Sequence, residues 1–419
     1  MLLPYSLRSS GLFSSLTHRG RLRIFRFKKG TSRQFTFGPK RMVNALTGKA
    51  SLIHRIATPT TKSFGYLRPP VSKEMEDQSK EERLKRVVDG LVAGIYERPL
   101  FDLGSKGDSR LSGILSPIYD DSLVKKYVQS QFFESAHVYI EKYQDTEIFR
   151  SLILTAFQRI DFNPEGERII LDIGSGAGNT VFPLLTLCPD SHVIASDLSV
   201  DMLAFLKVGL EKLIIDQGID RSCFLLQLNA EDLDFVDGSI DMVVGASVLH
   251  HMISPEKSLR KCARILKKGG FAIFFEPFEE GNIITRAAYN AVLKDSRQKA
   301  LSKKTKDFLE AIMRDYDVRM VRDKSSERFS GLDDKWLFNK RYFSVLAEKY
   351  GYSDCIIFPL RETEHQFLNH TLTTLRLFGG MERDDLPEWA WEIIQQFDQC
   401  FSEQAKEELL IEGCIILKI

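Results

Sequence analysis

The chain has 419 residues, 43% of them hydrophobic and 27% charged, proportions ordinary for one large or two modest globular domains. Its net charge of +1 conceals an asymmetry: residues 1–73 hold 15 Lys and Arg and no Asp or Glu, whereas residues 74–419 hold 43 basic and 57 acidic side chains. The acidic remainder argues against a nucleic-acid partner, because gripping a phosphate backbone needs positive charge, and no apolar run reaches the length of a transmembrane segment.

Residues 1–72 read as an acid-free basic leader. Its Ser9, Ser10, Ser14 and Ser15 and its RLRIFRFKK run have the composition of a transit peptide, which implies a mitochondrial or plastid destination. Two other readings stay open: a basic arm touching nucleic acid or membrane, and a leader ahead of a working start at Met42. Without targeting, the expectation is a cytoplasmic protein. The six cysteines, at 188, 223, 262, 355, 400 and 414, form no C-x-x-C pair. They read as buried thiols in a reducing compartment, and no metal is expected.

Residues 73–160 read as a helical N-terminal region. A charged helix over 73–96 gathers Leu84, Val87, Val88 and Leu91 on one face, and Gly104, Gly107 and Gly113 mark loops. A second helical region over 121–159 is rich in aromatics: Tyr127, Phe132, Phe133, Tyr139 and Tyr143.

Residues 161–281 read as an α/β core. The stretch RIILDIGSGAGN, Arg168 to Asn179, is a buried strand running through Asp172 into a turn of alternating glycines, Gly174, Gly176 and Gly178. Glycine there lets a ligand approach the main chain, and the following helix from Thr180 to Leu187 points its free N–H groups the same way. A dinucleotide fingerprint would need glycine at 179 or 181, where the chain has Asn179 and Val181. A second strand, 192–197, ends in Asp197, whose carboxylate is placed to accept both hydroxyls of a ribose. Ser199 serves as the cap of a helix from Val200 to Leu213. A third strand, 223–228, leads into Asn229-Ala230-Glu231-Asp232, and a fourth, 240–246, into SVLHHM. Next come a helix over 255–266, a Lys267-Lys268-Gly269-Gly270 turn, a fifth strand over 271–275, and a loop from Glu276 to Gly281.

The residues DIGSGAG resemble motif I of the class I S-adenosylmethionine-dependent methyltransferases, and the order of the elements after them is similar to the small-molecule, methyltransferase-11/25-like type. The resemblance covers about residues 130 to 281 closely and the last 80 or so loosely. It implies a doubly wound, Rossmann-like sheet of seven mostly parallel strands, the last antiparallel, with a helical N-terminal segment and helical insertions. It further implies S-adenosyl-L-methionine as cofactor, held by Asp172, Gly174, Ser175, Gly176 and Gly178 at the turn, Asp197 and Leu198 at the ribose, Asn229, Ala230 and Glu231 at the adenine, and Ser247 after strand four. The helices before motif I often form a lid in this family; for any one aromatic here, packing against the sheet is the plainer reading.

Residues 282–340 form an insertion, helical and lysine-rich over Asn282 to Asp323, whose charges read as a solvated face. Residues 341–419 return to the core: a helix from Trp336 to Tyr350, a turn at Gly351, a strand over 355–360, a second helical insertion over 362–408 with His365, His370 and Trp389, and a final strand over 412–419.

Methyl transfer from a sulfonium needs an aligned nucleophile and, for an oxygen of ordinary acidity, a base. His251, with His250 and Glu276 beside it, is the candidate; packing or capping is the alternative for both histidines, and His365 and His370 carry less weight. The chain lacks the N/D-P-P-Y/F turn after strand four used on adenine amines, having Ala246-Ser247-Val248-Leu249. The stretch Gly178 to Leu185 is similar to the tRNA 3-methylcytidine methyltransferases, whereas SVLHHM is more like small-molecule and lipid-quinone enzymes. The expected function is methylation of a small molecule at oxygen or carbon; the alternatives are a tRNA or protein methyltransferase and a non-catalytic cofactor-binding assembly factor. The oligomeric state is left open.

Overall fold

The computed structural model describes residues 91–117, 145–217 and 223–419. The expected leader, most of the helix over 73–96 and the aromatics from Tyr127 to Tyr143 lie outside the described residues.

In chain order, β1 (Phe101–Asp102) and β2 (Ile114–Ser116) precede α1 (Thr146–Arg159). The core then alternates: β3 (Ile169–Ile173), α2 (Val181–Leu187), β4 (His192–Asp197), α3 (Val200–Gln217), β5 (Cys223–Gln227), β6 (Ile240–Ala246), α4 (Pro255–Ile265) and β7 (Leu266–Pro277). The remainder is α5 (Glu279–Lys294), α6 (Lys303–Arg319), α7 (Lys340–Tyr350), β8 (Asp354–Pro359), α8 (Gln366–Thr374), α9 (Glu388–Gln399), α10 (Glu403–Glu408) and β9 (Glu412–Lys418).

Alternate residues of the central strands feed two cores. Leu171, Ile173 and Val243 pack on one face of the sheet, and Ile170, Met242 and Val244 on the other. Strands buried on both faces carry continuous apolar runs, which is why β3 and β6 read so clearly. The sheet order is β1-β2-β5-β4-β3-β6-β7-β9-β8. From β3 the chain first winds toward β4 and β5 and then returns to the other side at β6, so β3 and β6 flank a topological switch point. A crevice opens there beyond the strand carboxyl ends, the usual ligand position in such sheets.

The doubly wound, mostly parallel architecture is present, but among the described residues the sheet has nine strands where seven were expected. The additional pair comes from the region read as loops: β2 runs parallel to β5, and β1 pairs antiparallel to β2. Strands of two and three residues are too short to show alternation. The last strand is antiparallel, β9 pairing that way with both β7 and β8.

Other boundaries moved for local reasons. The Lys267-to-Gly270 turn is a bulge inside β7, where Ile240 pairs with Leu266 but Met242 pairs with Phe271, and Gly269 takes φ +81°. The loop expected over 276–281 shrinks to Phe278, because Glu276 and Pro277 pair with Gly413 and Glu412 and α5 begins at Glu279. Trp336 to Phe338 are not helical: Phe338 bridges to Phe278, and α7 starts after Asn339, whose side chain accepts from the Tyr342 N–H at 2.7 Å. Of the cysteines, Cys400 is exposed and Cys223 and Cys355 are half-buried, so only Cys188, Cys262 and Cys414 are buried thiols.

The two insertions, distant in sequence, share a third core. Tyr289 and Val292 of α5 and Leu309, Ile312 and Tyr316 of α6 pack with Ala390, Trp391 and Ile394 of α9. The lysines of α6 lie on its outer side while Phe308, Leu309 and Ile312 face inward, an amphipathic helix covering an apolar stripe.

Candidate functional site

The glycine turn after β3 divides its glycines by task. A Cβ on Gly174, at φ +68°, would stand 2.4 Å from Val248 Cγ2, so Gly174 exists for close packing of the turn against the segment after β6. On Gly176, at φ +51°, a Cβ would meet nothing within 4 Å. A Cβ on Gly178 would lie 2.6 Å from Leu206 and Phe182, which makes Gly178 a packing position against α2 and α3.

Asp172 is fully buried, and the Thr180 hydroxyl donates to its two oxygens at 2.9 and 2.8 Å. Burial pushes this carboxyl up to about 7 against the hydroxyl bonds that oppose the shift. Ser175 is buried too, donating its N–H to the Ser196 carbonyl at 2.8 Å and its hydroxyl to the Asp172 carbonyl at 3.1 Å. Asp172, Ser175 and Gly178 therefore brace the turn from behind.

At the end of β4, Asp197 accepts from the Gly176 N–H at 2.9 Å on Oδ2 and from the Ser199 N–H at 2.8 Å on Oδ1. Burial raises its pKa, opposed by these backbone bonds. Ser199 also caps α3 through the Met202 N–H at 3.3 Å. After β5, the Asn229 side chain accepts from the Glu231 N–H at 3.0 Å, and Glu231 accepts from the Ser254 N–H at 3.0 Å. After β6, Ser247 sits at φ +54°, a strained backbone for a residue with a side chain, and its buried Oγ has no hydrogen-bond partner.

These groups converge on one cavity of about 160 Å³. It is lined by Gly174, Gly176, Asp197, Leu198, Asn229, Ala230, Glu231, Ser247 and His251, with Ser199, Met202, Leu228, Ala246, Val248 and Met252 completing the wall. Of the latter set, Ser199 was read as a helix cap, and Ala246, Val248 and Met252 fall in or beside the SVLHHM stretch, whereas Met202 and Leu228 were given no role from the sequence.

His250 and Glu276 are not on that wall. Glu276 has no exposed surface and accepts from the Val248, Leu249 and His250 N–H groups at 3.0, 2.7 and 3.3 Å, holding the segment after β6 from beneath. Its Oε2 also lies 2.6 Å from His250 Nδ1, and His250 Nε2 lies 3.4 Å from Asp334 Oδ1. Burial opposes charge on His250, but these two carboxylates outweigh it and raise its pKa to about 9. Burial and the His250 charge push His251 the other way, toward the neutral ring. Asp334 is held below the usual carboxylate range: burial works to raise it, and Arg319, His250 and His251 overcome that. Asp333, Asp334, Lys335 and Arg319 bear on this wall, and the only trace of them in the sequence is an Asp-Asp-Lys triplet with no spacing relation to the histidines.

His365 and His370 lie elsewhere. His365 is exposed, and His370 is buried against the Tyr316 hydroxyl at 2.9 Å, beside a second cavity of about 480 Å³ with Arg361 and Arg376 on its wall. Among the described residues, no helix is long and apolar enough to cross a membrane.

Comparison with known proteins gives these elements a family. Residues 171–274, from β3 to β7, match the family described as Methyltransferase domain. The ubiquinone/menaquinone biosynthesis C-methyltransferase UbiE of Pseudomonas paraeruginosa is 31% identical over 123 residues, 29% of this chain and 46% of the relative. UbiE of Pseudomonas savastanoi pv. phaseolicola is 32% identical over the same shares. The chain thus spans about half the length of the curated relatives it matches. Among solved structures, phosphoethanolamine N-methyltransferase 2 of Haemonchus contortus, in complex with S-adenosyl-L-methionine, is 13% identical, covering 83% of this chain and 75% of that one at a TM-score of 0.40. Through residues 171–274, built on the β3 turn and the doubly wound sheet described above, this chain is similar to the Methyltransferase domain family.

Proposed function

We propose that this chain transfers a methyl group from S-adenosyl-L-methionine to oxygen or carbon of a small-molecule acceptor. The observation that carries the reading is the cavity bounded jointly by Gly174, Gly176 and Asp197. The residues present fit the cofactor: the space beside Gly176 would be entered by any Cβ, and the buried Ser247 hydroxyl lacks a partner. In this reading Asp197, with each oxygen already holding one backbone N–H, uses its remaining lone pairs for the ribose hydroxyls. Residues 229–231 meet the adenine edge, and Met202, Leu228 and Met252 cover its faces. When bound, the cofactor supplies an already activated methyl group on a sulfonium. The chain's own part is to orient the acceptor, exclude water and receive its proton, for which His251 is the wall's titratable nitrogen base.

Two observations favour a small acceptor at carbon or oxygen over tRNA or protein: the acidic balance of residues 74–419, and the similarity to relatives named for C-methylation in quinone biosynthesis. The test is transfer of labelled methyl from S-adenosyl-L-methionine by the full chain into either a metabolite extract or a total RNA and protein pool. Label in the low-molecular-weight fraction supports the reading, and label in RNA or protein replaces it. Cofactor binding with label in neither points to an assembly factor. An organelle destination for the 1–72 leader belongs to the same proposal, and diffuse cytoplasmic fluorescence of a fusion to those residues would refute it.

A further inference from the structure

Hydrogen bonds lace residues 333–336, in the linker between α6 and α7, onto the cavity wall at 250–252. Lys335 donates its backbone N–H to the His250 carbonyl at 2.8 Å and its ammonium to the His251 carbonyl at 2.7 Å, while Trp336 Nε1–H donates to the Met252 carbonyl at 2.8 Å. His251 Nδ1 lies 3.0 Å from the Asp333 carbonyl and 3.3 Å from Asp334 Oδ1. That same Oδ1 is 3.4 Å from His250 Nε2, and Asp334 Oδ2 faces Arg319 of α6 at 3.7 Å. Asp334 is only 1% exposed.

Both oxygens facing His251 Nδ1, a carbonyl and a carboxylate, can only accept. A ring nitrogen between two acceptors carries the proton, and in a neutral imidazole the other nitrogen then holds the lone pair. We propose that Asp334, fixed in place by His250 and Arg319, is a positioning residue that locks His251 in its Nδ1–H form and presents Nε2 as the atom that takes the acceptor's proton. The inference rests on the methyl-transfer reading above. In that step the proton leaves the acceptor's O–H or C–H for Nε2, and its bonding pair stays on the acceptor atom. The imidazolium so formed keeps its Nδ1–H on the Asp333 carbonyl, with the Asp334 carboxylate 3.3 Å away to stabilise its charge, as carboxylates do beside catalytic histidines elsewhere.

The charges around the ring suit this division. Glu276 from β7 and Asp334 from the linker face His250, Arg319 from α6 pairs with both Asp334 and Asp315, and the Lys335 ammonium donates to the His251 and Asp333 carbonyls. The helical insertion is thereby more than a cover: it supplies the carboxylate that orients the candidate base, 83 residues along the chain from it.

The test is nitrogen-15 NMR of the histidine rings in the full chain, which needs no substrate and no turnover. The expected result is a neutral His251 protonated at Nδ1 between pH 6 and 8 and a charged His250. Protonation of His251 at Nε2, or a charged ring at pH 7, overturns the proposal. In Asp334→Asn, His250 should titrate at lower pH and kcat should fall at least tenfold with cofactor affinity, by calorimetry, within about twofold of wild type; unchanged kcat and unchanged His250 titration overturn it. Should that variant not fold, Arg319→Lys serves, with an intermediate loss of kcat expected and none contradicting. His250, His251 and Asp334 also lie within 4.8 Å of one another, a spacing a cation can use; stoichiometric zinc retained after dialysis would make them ligands and likewise overturn it. Failure of wild type to bind S-adenosyl-L-methionine, with the His251 tautomer as expected, would instead count against the methyl-transfer reading.

Discussion

The Gly176 N–H donates to Asp197 Oδ2 at 2.9 Å, joining the turn after β3 to the acid that ends β4. With the Ser175 N–H bond to the Ser196 carbonyl at 2.8 Å, this bond ties together the two halves of the cavity floor, and whatever occupies the cavity meets them as a unit. Asp197→Ala removes this acceptor and the one used by Ser199. S-adenosyl-L-methionine affinity, measured calorimetrically, should fall by about 1.5 to 3 kcal/mol, the scale of lost charge-assisted hydrogen bonds. Equal affinity in the variant would separate Asp197 from the ligand.

The glycines separate binding from folding. Gly176→Val places a branched side chain in the cavity and should abolish cofactor binding with a modest loss of stability from its positive φ. Gly178→Val drives a side chain into Phe182 and Leu206 and should cost about 1 to 3 kcal/mol or more of folding free energy. Urea denaturation and calorimetry on both variants check the contrast; a reversed pattern would mean the two glycines have been assigned to the wrong sides of the turn.

Ser247 buries a hydroxyl with no partner. Removing an unsatisfied buried group does not destabilise, so Ser247→Ala should keep or slightly raise the melting temperature while weakening cofactor binding several-fold. A clear drop in melting temperature would show that the hydroxyl already has an internal role.

His250 gives a pH signature. Its pKa is raised from 6.5 to about 9 by Glu276 and Asp334 in spite of burial. Between those values the folded state binds more protons than the unfolded state, so the stabilisation is complete below about pH 6.5 and is lost as pH rises through 9. The loss is on the order of 3 kcal/mol. Denaturation midpoints at pH 6, 7.5 and 9 should decline in wild type, and the decline should flatten in His250→Gln, which is less stable at every pH because two buried carboxylates lose their partner. A parallel slope in the variant would assign the pH dependence to other groups, with Asp172 the first to examine.

The central strands and the glycine turn were legible because each obeys a local rule: β3, β4 and β6 are short apolar runs buried on both faces, and the turn needs residues without a Cβ. Sequence could not distinguish Gly176, which opens on the cavity, from Gly178, which abuts Phe182, because both satisfy the same backbone demand. Nor could it place Glu276 and His250 behind the wall and His251 on it. All three sit at the carboxyl edge, and only the pairing of β7 with β9 and the arrival of Asp334 from the far insertion decide which way each side chain turns. Long-range partners such as Arg319 and Asp334 leave no periodic trace. The pair β1 and β2 was missed for a simpler reason, strands shorter than one full alternation.

Calorimetric titration of S-adenosyl-L-methionine into the full chain tests the central claim most directly. One saturable site, competed by S-adenosylhomocysteine and lost in Gly176→Val, is the expected result. A folded wild-type protein that shows no binding, or that binds equally well with valine at position 176, would contradict it.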